Sequence, residues 1–309
     1  MQGTNIKGLK LTKVIDGDTV KVEINGEVES LRLASLDTEE SWAGGSKPVT
    51  NAGKLASAWA KNYFGVEKDG FPAAGAEIKV DIEFDTNDPV NVCLQKHRGN
   101  YGRLICYVYK DGANYNLEAV KTGWSPYFVK YGRSRLYHNE FMSAEAAAQA
   151  KAAAIWNSET NAGGKTRNYE ELVPWWHLRE SIVQDFRKFG LQSGVQSVRL
   201  DYENIVEAAK NGNKITVFCD LQGGINKRPG SGALIYAGSI KHKFNLWIPD
   251  RESAPSQHIL SLIEKRYSGK GRGYVYVTGK ASLYPQNENG KPQIVLTDAA
   301  QLSDLPPGM

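Results

Sequence analysis

The dipeptide Asn25-Gly26 stands between two runs of alternating apolar and polar residues, and it restricts the fold of the first part of the chain more than any other feature. Before it, Val20, Val22 and Ile24 alternate with Lys21, Glu23 and Asn25, the period of a half-buried strand. Asn-Gly accepts the positive φ angles of a tight turn whose twist matches a hairpin, so the chain is expected to return through Val28 to Leu36 as a second strand. With the register set by that turn, Asp18 falls beside Leu33 and Asp16 beside Ser35, which brings both acids near Arg32. Asp37, Thr38 and Glu40 come immediately after the second strand, in a loop able to fold back across the same end.

Asp16, Asp18, Asp37 and Glu40 gathered at one end of a hairpin would repel one another and raise one another's pKa unless a cation neutralises them. A hard divalent ion meets that need. Calcium accepts carboxylate, carbonyl and water oxygens in flexible geometry, whereas the absence of nearby His or Cys argues against zinc. Metal binding leaves Arg32 unexplained. An anionic substrate between the two explains it, because a planar guanidinium grips two phosphate oxygens at once. The plainer reading makes Asp16-Gly17-Asp18 a turn and pairs Arg32 with a neighbouring acid, and for that triplet alone it is the better one. The whole set goes beyond it. A second arginine, Arg103, follows Gly102 at the mouth of a strand in "HRGNYGRLICYVYKDG".

Further strands are expected over Ile78 to Phe84 and Leu104 to Tyr109. Helical spacing is seen at Leu55, Trp59 and Tyr63, over Asn116 to Thr122, and over Asn139 to Trp156. Five or so short strands with three helices make a small barrel of α+β character. "NSETNAGGKTRN" then reads as a polar, glycine-containing linker, and Trp175, Leu178, Ile182, Phe186 and Phe189 recur at helical intervals. A second strand-rich region offers strands over 215–221, 233–240, 243–248, 273–279 and 292–296, with a helix, Ser256 to Tyr267, between the third and fourth. That is the element order of an OB-fold, a partly open five-stranded barrel that often binds oligonucleotides.

A chain of 309 residues has room for two domains, each with its own core. No apolar run approaches the length a bilayer requires, so no membrane partner is expected. The net charge of +4 permits a polyanionic partner without demanding one. Cys93, Cys106 and Cys219 have no zinc spacing; free buried thiols are the preferred reading, with a Cys93 to Cys106 bridge left open. The opening "MQGTNIKGLK" carries no apolar signal-peptide core. A protein kept in the cytoplasm and one secreted or periplasmic with its signal removed both remain open, the second favoured. Oligomeric state is not legible.

The segments "VIDGDTV", "LRLASLDTEE", "NYGRLICYVYKDG", "NLEAVKTGW" and "AQAKAAAIWN", in that order, resemble the staphylococcal nuclease-like family, or thermonucleases. The resemblance covers roughly half the chain. It implies a five-stranded OB-type barrel with three helices that binds Ca2+ and hydrolyses DNA and RNA phosphodiesters. The expected organisation is a nuclease-like catalytic domain over 8–158, a linker with a helix over 159–197, and a C-terminal OB-fold barrel over 198–305. Carried over by residue, the resemblance implies that Asp18 and Asp37 ligate calcium through carboxylates and Thr38 through its carbonyl, with Asp16 behind them. It makes Glu40 the general base, Arg32 and Arg103 the catalytic arginines, and Tyr101 and Tyr131 nucleotide-site residues. The chain departs from the family at Glu39, commonly proline, at Val129, commonly tyrosine, and in an insertion around "DTNDPVNVCLQKHRGN".

The expected function is therefore a calcium-dependent nuclease acting on DNA, with RNA left open, by in-line attack of water. The rival is a non-catalytic nucleic-acid-binding or scaffold protein with a retired nuclease fold. The basic segments "GGINKRPGSG" and "EKRYSGKGRG" suggest that the second barrel holds a strand, with Tyr236, Phe244, Trp247, Tyr274 or Tyr276 as stacking platforms.

Overall fold

The computed structural model describes residues 1–44, 47–162 and 164–309. Gly45 and Ser46, in the loop after Glu40, and Gly163, in the polar stretch read as a linker, lie outside the described residues. The chain divides into two compact units, one of residues 1–99 and 103–174, the other of residues 100–102 and 175–309.

The first unit contains β1 (Asn5–Asp16), β2 (Thr19–Ile24), β3 (Glu27–Leu33), α1 (Asn51–Phe64), β4 (Lys79–Glu83), α2 (Val90–Lys96), β5 (Leu104–Lys110), β6 (Ala113–Asn114), α3 (Tyr115–Lys121) and α4 (His138–Ala150). Asn25 and Gly26 have φ of 53° and 82°, as their turn requires. The register they set pairs Ile24 with Glu27 and Thr19 with Arg32. β1 pairs with β4 along its first half and with β2 along its second, and register shifts mark the bulges that let one strand serve both. β3 runs parallel to β5, with Leu31 opposite Leu104 and Leu33 opposite Cys106. That ladder closes the circuit β1–β2–β3–β5–β4 into a five-stranded barrel of OB type. Leu11, Val14, Val20, Val22, Leu31, Val80 and Ile82 fill its interior. Each such side chain, fully buried, contributes about 1.5–3 kcal/mol relative to exposure.

Thr50 caps α1 by accepting from the Gly53 amide at 2.9 Å, and Gly65 ends it at φ 74°. Its buried face is Ala52, Gly53, Ala56, Ser57 and Ala60, small residues that let the helix approach the barrel closely, and Phe64 at its end. Leu55, expected in the apolar stripe, is exposed, while Trp59 and Tyr63 pack around Tyr115 at ring distances of 5.2 and 5.0 Å. The helix expected to reach Trp156 ends at Ala150, because Ala152 and Ala154 turn to positive φ before a short 3-10 turn. Cys93, Cys106 and Cys219 are free and buried.

α5 (Tyr169–Asp185) supplies residues to both units. The second unit continues with β7 (Gln196–Ser197), α6 (Tyr202–Asn211), β8 (Lys214–Asp220), β9 (Ile225–Lys227), β10 (Ala233–Tyr236), β11 (Asn245–Ile248), α7 (Ala254–Leu262), β12 (Tyr274–Tyr284), β13 (Lys291–Val295) and β14 (Leu302–Ser303). β8 pairs with β12 and β9 with β10, so the two pieces share between them the double pairing that β1 makes alone in the first barrel. β11 and β13 run parallel, as β3 and β5 do, and α7 falls between β11 and β12. The second unit thus repeats the strand order of the first. Of the expected row, Ile182 on α5 and Phe186 just beyond it are buried, but Trp176, Arg179 and Val183 are buried with them and Leu178 is exposed. Arg179 is buried because it pairs with Asp220 at 2.6 Å and stacks on Tyr274 at 4.3 Å.

Candidate active site

The turn between β1 and β2 is Asp16-Gly17-Asp18-Thr19. Its Gly17 carbonyl accepts from the hydroxyl of fully buried Tyr115 at 2.8 Å, which anchors the turn over α3. The Leu33 amide donates to the Asp18 carbonyl at 2.9 Å, so Asp18 sits where the hairpin register places it. Asp16 does not lie beside Ser35. It is the last residue of β1, paired with Thr19, because the chain reverses at Gly17 rather than continuing the ladder. Its carboxylate accepts from the Gly17 amide at 2.8 Å and the Ser41 hydroxyl at 2.9 Å. Burial raises its pKa, with a further push from Asp18, against the lowering effect of these hydrogen bonds.

Arg32 joins the two acids. One guanidinium nitrogen meets the Asp18 carboxylate and the other meets Asp37 Oδ1 at 2.8 Å. Burial alone would lower the Arg32 pKa, but Asp18 and Asp37 raise it, and Tyr131 lies near enough to add to them. On the far side of Asp18, Thr19 donates to its carboxylate at 2.8 Å and accepts from Arg103 at 3.2 Å. On the far side of Asp37, the Lys47 ammonium reaches Oδ1 at 2.8 Å and Glu40 Oε1 at 3.5 Å. An unbroken chain of polar contacts therefore runs Arg103, Thr19, Asp18, Arg32, Asp37, Lys47, Glu40.

Thr38 is buried, and Gly17 is packed so closely against it that a methyl group on Gly17 would lie 2.7 Å from Thr38 Cγ2. The Asp37 amide donates to Ser125 Oγ at 2.9 Å, which ties the loop to the segment after α3. Tyr131 is half exposed, with its ring edge-on to Phe128, and Tyr101 is largely exposed. Val129 is buried and offers no stacking surface.

Guanidinium and ammonium groups pair with Asp18, Asp37 and Glu40. Asp37 meets Arg32, Lys47 and also Arg167, whose two nitrogens reach Asp37 Oδ2 at 2.6 Å and the Asp37 carbonyl at 3.0 Å. Against the raising effect of burial, these three cations, Arg167 foremost, hold the Asp37 carboxyl far below the usual range. The plainer expectation for Arg32, an ion pair with a neighbouring acid, describes its contacts. Among the described residues no group of three or more His, Cys, Asp or Glu side chains is gathered as a metal ligand set. The donors that do converge are oxygens alone, the Asp18 and Asp37 carboxylates on one guanidinium, a donor type that suits a hard cation and not zinc.

Sequence reasoning missed Lys47, Tyr115, Ser125 and the segment that follows the last family motif. Glu39, fully buried, accepts from Tyr169 at 2.9 Å and Asn161 at 3.3 Å, and Asn161 in turn accepts from the Ala52 amide at 2.8 Å. A glutamate at a position where the family has proline was the only signal, and it did not name its partners.

The family model described as staphylococcal nuclease homologue matches residues 82–158, which include Tyr101, Arg103 and Tyr131. The chain is 30% identical over 170 residues to the uncharacterized protein MJ1439 of Methanocaldococcus jannaschii, covering 49% of this chain and 72% of that one. It is 29% identical over 147 residues to the SPbeta prophage-derived endonuclease YokF of Bacillus subtilis, 48% of this chain and 43% of the relative. It is 26% identical over 159 residues to the thermonuclease of Staphylococcus hyicus, 51% of this chain and 80% of that protein. The match spans less than half of YokF. With its closed barrel, this chain belongs to the staphylococcal nuclease homologue family.

Proposed function

We propose that the protein is a calcium-dependent nuclease that hydrolyses phosphodiester bonds of DNA, or of DNA and RNA both. The observation that carries this reading is the continuous chain from Arg103 through Asp18, Arg32 and Asp37 to Glu40 at one mouth of the barrel. Asp18, Asp37 and the Thr38 carbonyl would hold calcium, with Asp16 behind them, and the ion when bound supplies Lewis-acid polarisation of a phosphate oxygen. Glu40 takes a proton from the water that attacks phosphorus in line. Arg32 and Arg103 stabilise the charge that develops on the phosphoryl oxygens as the bond from phosphorus to the leaving oxygen breaks, and that oxygen takes its proton from solvent water. Tyr101 and Tyr131 line the nucleotide site. The names of two relatives, an endonuclease and a thermonuclease, support a nucleic-acid substrate.

The division of labour proposed is a catalytic domain over 8–158, a linker over 159–197, and an OB-fold domain over 198–305 that aids substrate binding. Of its suggested stacking platforms, Phe244 and Tyr276 are buried and drop out, and Tyr274 is stacked on Phe218 at 5.0 Å. Exposed Tyr236, beside Arg228, is the strongest that remains. A second reading, a nucleic-acid-binding protein without catalysis, is favoured by one observation: Arg32, Lys47 and Arg167 already neutralise Asp37. Digestion of matched single- and double-stranded DNA and RNA by full-length protein and a 1–174 fragment, with and without Ca2+, separates the two. The second reading predicts binding without cleavage in every condition.

Among the described residues no helix is long and apolar enough to cross a membrane.

A further inference from the structure

Resting on the calcium-nuclease reading, we propose that Arg167, beyond the family-matched segment, is a positioning residue for the metal-binding loop, supported by Asn161 and Tyr169. Arg167 grips Asp37 twice, at carboxylate Oδ2 and at the backbone carbonyl, with its side chain only 8% exposed. Arg32 and Lys47 take the other oxygen, Oδ1, on the side that leads to Asp18 and Glu40. Arg167 thus holds the far oxygen and the main chain together, which fixes the rotation of the carboxylate and directs Oδ1 toward the remaining site residues. A planar, forked guanidinium suits that double hold; a single ammonium does not.

The neighbouring residues reinforce the hold. Tyr169 and Asn161 both donate to Glu39, two residues along the same loop, and the Asn51 side chain donates to the Thr160 carbonyl at 2.8 Å. The Arg167 guanidinium also lies over the Tyr169 ring at 5.4 Å. These contacts fasten the loop Asp37–Glu39 from one side, while Ser125 holds the Asp37 amide from another. Two opposing effects of Arg167 on a calcium ion held by the Asp37 loop follow. The positive charge of Arg167 repels the ion, and the fixed orientation of Asp37 favours it. The proposal is that orientation wins, as it does for hydrogen-bond partners of metal ligands in general.

Calorimetric titration of CaCl2 into the full-length protein, in the wild type and in Arg167→Met and Arg167→Lys, tests this without any catalytic turnover. Methionine keeps the bulk of the side chain and loses both donor nitrogens; lysine keeps the charge but has a single donor nitrogen in place of the fork. The expected result is a dissociation constant raised on the order of ten- to a hundredfold in Arg167→Met, with Arg167→Lys between it and the wild type. Binding in Arg167→Met equal to or tighter than wild type overturns the proposal, as does an equal loss in both variants, which marks a packing role. Circular dichroism melting confirms that each variant is folded. Should Arg167→Met fail to fold, Arg167→Lys decides: several-fold weaker binding supports the proposal, wild-type affinity overturns it. Failure of the wild type to bind calcium would instead strike the calcium-nuclease reading itself.

Discussion

Arg32 touches Asp18 with one guanidinium nitrogen and Asp37 with the other, joining the turn after β1 to the loop after β3. The two acids lie 19 positions apart in sequence and are brought together because β3 carries the chain back along β2. For catalysis the same guanidinium has to face a phosphate as well. Arg32→Ala and Arg103→Ala are each expected to lower kcat by about 10²–10³ while leaving a folded protein. Steady-state cleavage with circular dichroism measures both, and near-normal turnover by either variant rules out its assigned role.

Gly53 lies so close to the loop that a methyl group on it would sit 2.2 Å from the Glu40 carbonyl oxygen. A backbone atom cannot yield as a flexible side chain would, so Gly53→Ala has to displace Glu40 or the start of α1. The expected outcome is a fall in kcat on the order of a hundredfold, the scale of a 1 Å misplacement, with the far-UV spectrum kept. Unchanged kcat would mean that the position of Glu40 does not matter to the chemistry.

Glu39 is 1% exposed and depends on Tyr169 for one of its donors. Tyr169→Phe removes that donor and leaves the carboxylate buried, which costs about 1–3 kcal/mol. Urea unfolding should show the loss in the transition of the first unit. A midpoint equal to the wild type would show that Glu39 is satisfied without Tyr169.

Asp304 in the second unit accepts from Arg266 and from the Tyr267 hydroxyl at 2.8 Å, and Arg272 lies 3.2 Å from it. Burial raises its pKa, but the hydrogen bond from Arg266, with Tyr267 and Arg272, brings it below the ordinary 3.8. A carboxyl with a depressed folded-state pKa adds stability that is complete above its unfolded value and lost as pH falls from there toward the folded value. Stability should therefore decline below about pH 4, and more shallowly in Asp304→Asn. Identical acid profiles for the two proteins would assign the acid sensitivity elsewhere.

The hairpin and most of its acids were legible because Asn25-Gly26 fixes a register locally, and Thr19 opposite Arg32 follows from it. The same arithmetic failed at Asp16, where the ladder had already ended in a turn. β1 was not read at all. Its burial alternates poorly, since one strand bends across bulges to serve two partners. α6 escaped notice because only Ile205, Ala208 and Ala209 of its residues are buried. Arg167 could not be read as a partner of Asp37: the contact spans 130 positions and starts from a polar stretch with no periodicity. In the second unit the five expected strands are present, but β9, only Ile225–Lys227, is hidden in the basic, glycine-containing stretch "GGINKRPGSG".

The measurement that bears most directly on the whole account is cleavage of plasmid DNA by the purified wild-type protein with Ca2+ supplied and then withdrawn by EGTA. Conversion of supercoiled to nicked and linear forms with the ion, abolished by the chelator and restored by added calcium, is the predicted result. Cleavage indifferent to EGTA would contradict the role given to Asp18, Asp37 and Thr38, and tight binding with no cleavage at any calcium concentration would contradict the enzyme itself.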